Sequence, residues 1–199
     1  MNVALRQPMT VPRFLAWEER QPMRYEFDGI EPQAMTGGTA AHARIQRNLA
    51  LAVGTRLRGG KCEFIGSDLK IEVAGSIRYP DGFVVCSRPA DASTVVTDPV
   101  IVFEILSAST ANTDLITKNA EYRATPSIVR YVILEQTHIA AMVFVRHGED
   151  WVCDVLAGPD AVLALPEIAL ALPLSELYAD LALTAAAEPP TDPPPPPAP

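Results

Sequence analysis

The stretch Val100-Ile101-Val102-Phe103-Glu104-Ile105-Leu106 decides the reading of this chain. It is apolar throughout except for Glu104, and rich in β-branched residues. That is the pattern of a central strand covered on both faces. A lone carboxylate in such a strand pays a large desolvation cost unless something holds it there. An arginine partner, an edge position facing water, or a bound metal ion would each do so.

Working outward, Pro80-Asp81-Gly82 leads into a second buried run, Phe83-Val84-Val85-Cys86. Pro-Asp alone is a common turn pair. An Asp at one strand end and a Glu in the next core strand carry more information. Neighbouring strands lie about 4.8 Å apart, so two carboxylates on one face can share a hard cation. Mg²⁺ or Mn²⁺ suits such a pair, completed by waters and phosphate oxygens. A lysine two residues after the Glu would complete the usual motif, but Leu106 stands there. Lys118 is the substitute favoured here, because Asp114, Lys118 and Tyr122 share one helical face at i, i+4 and i+8. The plain alternative is an exposed Asp–Lys pair on a helix surface. Lys70, on a strand face with Asp68 and Glu72, is the competing lysine.

Around this centre the chain reads as one domain. A helix is predicted at Thr10–Glu19, with Thr10 as N-cap and Phe14 and Trp17 facing inward. Asp28-Gly29 marks a hairpin. Ala40–Arg58 is the longest helix, with Ile45, Leu49, Ala52, Val53 and Leu57 on one stripe and Gly59-Gly60 as its stop. Phe64–Val73 reads as a single alternating strand and Ile77–Tyr79 as another. A helix over Thr113–Ala124 precedes a strand at Ile128–Leu134. A hairpin turns at His147–Asp150, and a short helix closes at Ser175–Leu183. The order predicts an α/β (α+β) domain: a mixed central sheet flanked by helices, with additional hairpins. The domain is placed at residues 10–184, after a flexible stretch 1–9. Residues 185–199, mostly proline, read as a disordered tail.

Of 199 residues, 48% are hydrophobic and 20% charged, an ordinary globular balance. The apolar stretch 161–183 is interrupted by Pro166, Glu167, Pro173, Glu176 and Asp180, which argues against a membrane span. No secretory signal is legible. Cys62, Cys86 and Cys153 are read as reduced core thiols of a cytoplasmic protein. A net charge of −8 argues against indiscriminate coating of nucleic acid, while leaving room for a local basic face. His42, His138 and His147 have no evident Ser or Cys partner in a nucleophilic motif, and no glycine-rich phosphate loop or nicotinamide fingerprint is present.

Tyr25-Glu26-Phe27-Asp28-Gly29, His42, Arg78-Tyr79-Pro80-Asp81, Phe103–Thr110, Asp114, Lys118, Tyr122 and Tyr131–Leu134 occur in an order that resembles the Uma-family restriction endonucleases. These form a domain of unknown function within the PD-(D/E)XK superfamily, and the resemblance spans about Thr10 to Leu181. It implies a restriction-endonuclease-like core and a metal-dependent endonuclease that hydrolyses nucleic-acid phosphodiesters, with DNA as the expected partner. Asp81, Glu104 and the carbonyl of Ile105 would hold Mg²⁺ or Mn²⁺, and Lys118 would assist the attacking water. A homodimer would serve double-strand cutting. Glu26 faces either a polar pocket or the hairpin surface. His42 points inward and is expected to meet a backbone carbonyl. Asp68 either supports the metal or lies on the exposed strand face. The alternative is a non-catalytic module that keeps the fold for binding or assembly, favoured by the acidic charge and by Leu106. Metal binding separates the two.

Overall fold

A computed structural model of the chain describes residues 9–107 and 113–183. The expected tail and the Ala108–Thr110 part of the family motif lie outside the described residues. The strands are β1 (Tyr25–Phe27), β2 (Pro32–Ala34), β3 (Glu63–Gly66), β4 (Lys70–Val73), β5 (Ser76–Arg78), β6 (Gly82–Val85) and β7 (Val95–Val96). They continue with β8 (Ile101–Ile105), β9 (Arg130–Leu134), β10 (Ala140–His147), β11 (Asp150–Ala157), β12 (Val162–Leu165) and β13 (Leu170–Pro173).

The central sheet is six-stranded and mixed, in the order β11-β10-β9-β8-β6-β3. β8 lies inside it, antiparallel to β6 and parallel to β9. All five β8 residues are buried, as their apolar run requires. The helix Ala40–Leu49 continues through a π-helical turn (Ala50–Gly54) and a last α-helical turn (Thr55–Leu57). Its stripe of Ile45, Leu49 and Val53 packs with Val84, Ile101, Phe103 and Ile105 on one face of the sheet. On the other face, Tyr122 from the second helical segment packs with Phe83, Val102, Tyr131 and Ile133. That segment is a π-helical stretch (Thr113–Lys118) running into an α-helix (Asn119–Ala124). The sheet is thus flanked by helical segments on both faces, in keeping with the expected mixed sheet flanked by helices.

A second, five-stranded sheet has the order β2-β1-β5-β4-β7. Its existence corrects one expectation. Phe64–Val73 is not one strand but two, β3 in the central sheet and β4 in the second. Gly66-Ser67-Asp68-Leu69 breaks the alternation, with the Leu69 N–H reaching the Gly66 carbonyl. The apolar alternation of Leu69, Ile71 and Val73 is real, but it serves a different sheet from Phe64. The hairpin at Asp28-Gly29 forms as expected, with Gly29 at φ +87° and Asp28 Oδ1 accepting from the N–H groups of Ile30 and Glu31. The closing helix is only Leu174–Leu177, and the stretch before it folds as the hairpin β12–β13. Leu163, Leu165 and Leu172 from that hairpin bury themselves in the main core.

The cysteine reading is also corrected. Cys62 and Cys86 form a disulfide, and Cys153 is exposed. The antiparallel register pairs Glu63 with Val85, so the next position outward sets Cys62 opposite Cys86. The 24-residue separation concealed a cross-strand pair that only the register reveals. Among the described residues no helix is long and apolar enough to cross a membrane.

Candidate functional site

Asp81 and Glu104 are brought together by strand register. β6 and β8 pair Val84 with Ile101, Phe83 with Val102 and Gly82 with Phe103. One step further, the register sets Asp81 opposite Glu104, at a spacing of about 5 Å between Cβ atoms for directly facing residues. The ladder stops there, and the Asp81 side chain takes over as acceptor. The N–H of Ile105 donates to Asp81 Oδ2 at 2.7 Å. In a strand, the N–H and C=O of one residue point to the same side. The Ile105 carbonyl therefore lies on the strand edge that faces Asp81. A Cβ at Gly82 would fall 2.3 Å from Phe64 Cζ, so a larger residue beside Asp81 would have to displace that ring.

The helix Ala40–Leu49 reaches Asp81 from one side. Thr39 caps this helix by accepting from the His42 N–H. His42 and Gln46, one turn apart, both contact Asp81 Oδ1, at 2.8 Å from His42 Nε2 and 3.2 Å from Gln46 Nε2. His42 thus meets a carboxylate rather than the expected backbone carbonyl. Its pKa is raised above the ordinary value, first by the hydrogen bond to Asp81 and then by the charges of Asp81 and Asp114, against the effect of burial.

The segment 113–124 reaches Glu104 from the other side. Lys118 Nζ lies 3.0 Å from Glu104 Oε1, and the Tyr122 hydroxyl donates to the same oxygen at 2.8 Å. Lys118 also lies 3.2 Å from Asp114 and 3.3 Å from Glu26. Asp114, Lys118 and Tyr122 are all buried, so the face predicted from i, i+4, i+8 spacing is an interior face and not an exposed ion pair. Burial pushes the Glu104 carboxyl up to about 8; Lys118 opposes this, while Asp114, Asp81 and Glu26 add to it. Burial works against the Lys118 charge, but Glu104, Glu26 and Asp114 outweigh it and keep the ammonium protonated.

Glu26 occupies a polar pocket. It accepts from the Tyr79 N–H at 3.0 Å and from the fully buried Arg78 at 3.1 Å. Arg78 in turn holds Glu121 through two bonds of 2.7 and 2.6 Å. Arg78 belongs to the family-like stretch Arg78–Asp81 but received no site role, and Glu121 was not singled out, although an arginine in the β5 pattern carries the same signal as Glu104: a charge inside a buried strand. Lys70 is drawn away from the centre, bonded to Glu18 at 2.8 Å and to the Tyr79 hydroxyl at 3.3 Å. Asp68 is exposed and paired with Arg24. Of the two candidate lysines, the fold therefore brings Lys118 to Glu104.

The donor set suits a hard divalent cation. Glu26, Glu104 and Asp114 surround Lys118, Glu26 and Glu121 hold Arg78, and Asp81 pairs with His42. Among the described residues no three His, Cys, Asp or Glu side chains form a ready metal cage. Asp81 and Glu104 are the carboxylates that could hold such an ion, and only with waters or substrate oxygens completing its shell, as Mg²⁺ commonly requires.

A mixed sheet between helices, with a half-buried Asp81 facing the buried Glu104 on adjacent strands and a lysine against Glu104, is a restriction-endonuclease-like arrangement. The chain belongs to the Uma2 family, described as "Putative restriction endonuclease", whose profile matches residues 11–175. It is 31% identical over 173 residues to the uncharacterized protein slr1290 of Synechocystis sp., covering 85% of this chain and 90% of that one. It is 28% identical over 167 residues to sll1609 of the same organism, covering 81% and 94%. A crystal structure described as a putative nuclease belonging to DUF820, from Anabaena variabilis, shares the fold with a TM-score of 0.69 at 18% identity. That match covers 86% of this chain and 98% of the other.

Proposed function

We propose that the protein is a metal-dependent endonuclease that hydrolyses phosphodiester bonds in nucleic acid, DNA in the first instance. The observation that carries this reading is the convergence on Glu104: a carboxylate buried in the central strand, with Asp81 facing it and Lys118 3.0 Å away. A structural ion pair would account for Glu104 and Lys118 alone. It would not account for an additional aspartate held at the strand end by a backbone N–H, a histidine and a glutamine.

Asp81, Glu104 and the Ile105 carbonyl would hold Mg²⁺ or Mn²⁺. Such an ion, when bound, polarises the scissile phosphate and lowers the pKa of a bound water. The chain's own residues do the rest. Ile105 N–H, His42 and Gln46 fix the orientation of the Asp81 carboxylate. Tyr122 fixes Glu104 through its hydroxyl. Lys118 supplies a positive charge beside Glu104, placed to orient the attacking water or to offset charge developing on the phosphoryl oxygens. Lys118 thus brings an ammonium to Glu104 from the helical segment rather than from two residues along the strand, where Leu106 stands.

Titrating Mn²⁺ into wild type, Asp81→Ala and Glu104→Ala by calorimetry tests the site. Binding in wild type and its loss in both folded variants is the expected result, with cleavage of nucleic acid abolished by chelator. Absent binding in folded wild type, with a nucleic-acid fragment present, would leave the non-catalytic reading in possession.

A further inference from the structure

A cleft of about 400 Å³ opens beside Asp81. Its walls are the Gly37-Gly38 loop, Arg24, Tyr79, His42 and Gln46. The two carboxylates are recessed: the Asp81 side chain is 13% exposed and that of Glu104 only 5%. The volume is at the small end of small-molecule sites, roughly 300–1,000 Å³. A space of this size takes one nucleotide unit of a strand, whereas a stacked duplex needs an open surface.

Lys70, Arg78 and Lys118 are buried in their own pairs, and among the described residues Arg24 is the one Lys or Arg that lines the cleft. At the cleft, Arg24 is 48% exposed, and its partner Asp68 is 87% exposed. Such a surface pair is weak, so a phosphate can take Arg24 over. The Gly37-Gly38 backbone also allows close approach. A Cβ at Gly38 would fall 3.1 Å from the His42 ring, whereas one at Gly37 meets nothing within 4 Å.

We infer that the cleft receives an unpaired nucleic-acid strand, with Arg24 on a phosphate next to the scissile one, so that the protein selects single-stranded segments over intact duplex. The inference rests on the nuclease reading for the identity of the site, but its test does not depend on cleavage. A short fluorescein-labelled DNA oligonucleotide, single-stranded or annealed to its complement, is titrated with the full chain in Ca²⁺ and followed by anisotropy. Cleavage of both forms is followed separately in Mn²⁺.

Single strand should bind at least about tenfold tighter than duplex. Gly37→Leu, which fills open space without backbone strain, should reduce that binding about tenfold at unchanged Tm. Arg24→Ala should weaken it and make its salt dependence shallower by about one phosphate contact. Duplex bound as tightly as single strand, no binding of either form, or indifference to Gly37→Leu would each overturn the inference. Selective single-strand binding without cleavage would uphold the cleft and refute the endonuclease instead. Duplex cleavage without single-strand preference would do the reverse.

Discussion

Replacing Lys118 with Met removes the ammonium that lies 3.0 to 3.3 Å from Glu104, Asp114 and Glu26 while keeping most of the side-chain volume. Breaking a buried ion pair from one side costs on the order of 3–5 kcal/mol. The cluster can limit that cost, because one further carboxylate can take a proton to balance the lost charge. At pH 7, protonating a carboxyl whose ordinary pKa is about 3.9–4.3 costs about 3.7–4.2 kcal/mol. At pH 5 the same step costs only about 1–1.5 kcal/mol. A carboxyl that is protonated when folded and ionised when unfolded binds its proton more tightly in the folded state, so raising the pH favours unfolding. The loss should therefore approach 4 kcal/mol at pH 7 and fall to about 1 kcal/mol at pH 5. For a domain of this size that is a Tm drop of roughly 8–15 °C at pH 7 and 2–6 °C at pH 5. Denaturant unfolding of wild type and variant at the two pH values measures it. A loss under about 1 kcal/mol at pH 7, or one independent of pH, would show that Lys118 does not balance this cluster.

Asp81→Asn and Glu104→Gln should each reduce cleavage by more than the roughly 10–100-fold that outer-shell partners are worth, with stability within about 1 kcal/mol of wild type; residual cleavage near wild type would dismiss the pair. Because burial raises the Glu104 carboxyl to about 8, an ion bound there must expel its proton. Apparent Mn²⁺ affinity should rise by up to about tenfold per pH unit as that proton is lost and level off above it; calorimetry showing a flat profile would contradict this. Reducing the Cys62–Cys86 disulfide opens a link between residues 24 apart. The chain-entropy relation gives a cost of about 3.5 kcal/mol, and identical denaturation curves with and without reductant would refute it.

Much of this organisation was legible because it is local or periodic. The burial of β8 followed from its apolar run, and the importance of Glu104 from the cost of a charge inside it. Asp114, Lys118 and Tyr122 could be placed on one face from helical geometry alone, and the Asp28-Gly29 hairpin from turn chemistry. The tertiary structure decided what depends on register and on long-range pairing. It split Phe64–Val73 between two sheets, because a turn at Gly66–Leu69 leaves the period of two intact while changing the partner strand. It joined Cys62 to Cys86 through a register that spacing does not contain. It chose Lys118 over Lys70, since both lie in plausible patterns and only packing determines which ammonium meets Glu104 and which meets Glu18. It also turned His42 onto Asp81 and buried Arg78 between Glu26 and Glu121. Periodicity tells which side chains must leave water; only the assembled sheet and its two helices determine what they meet inside.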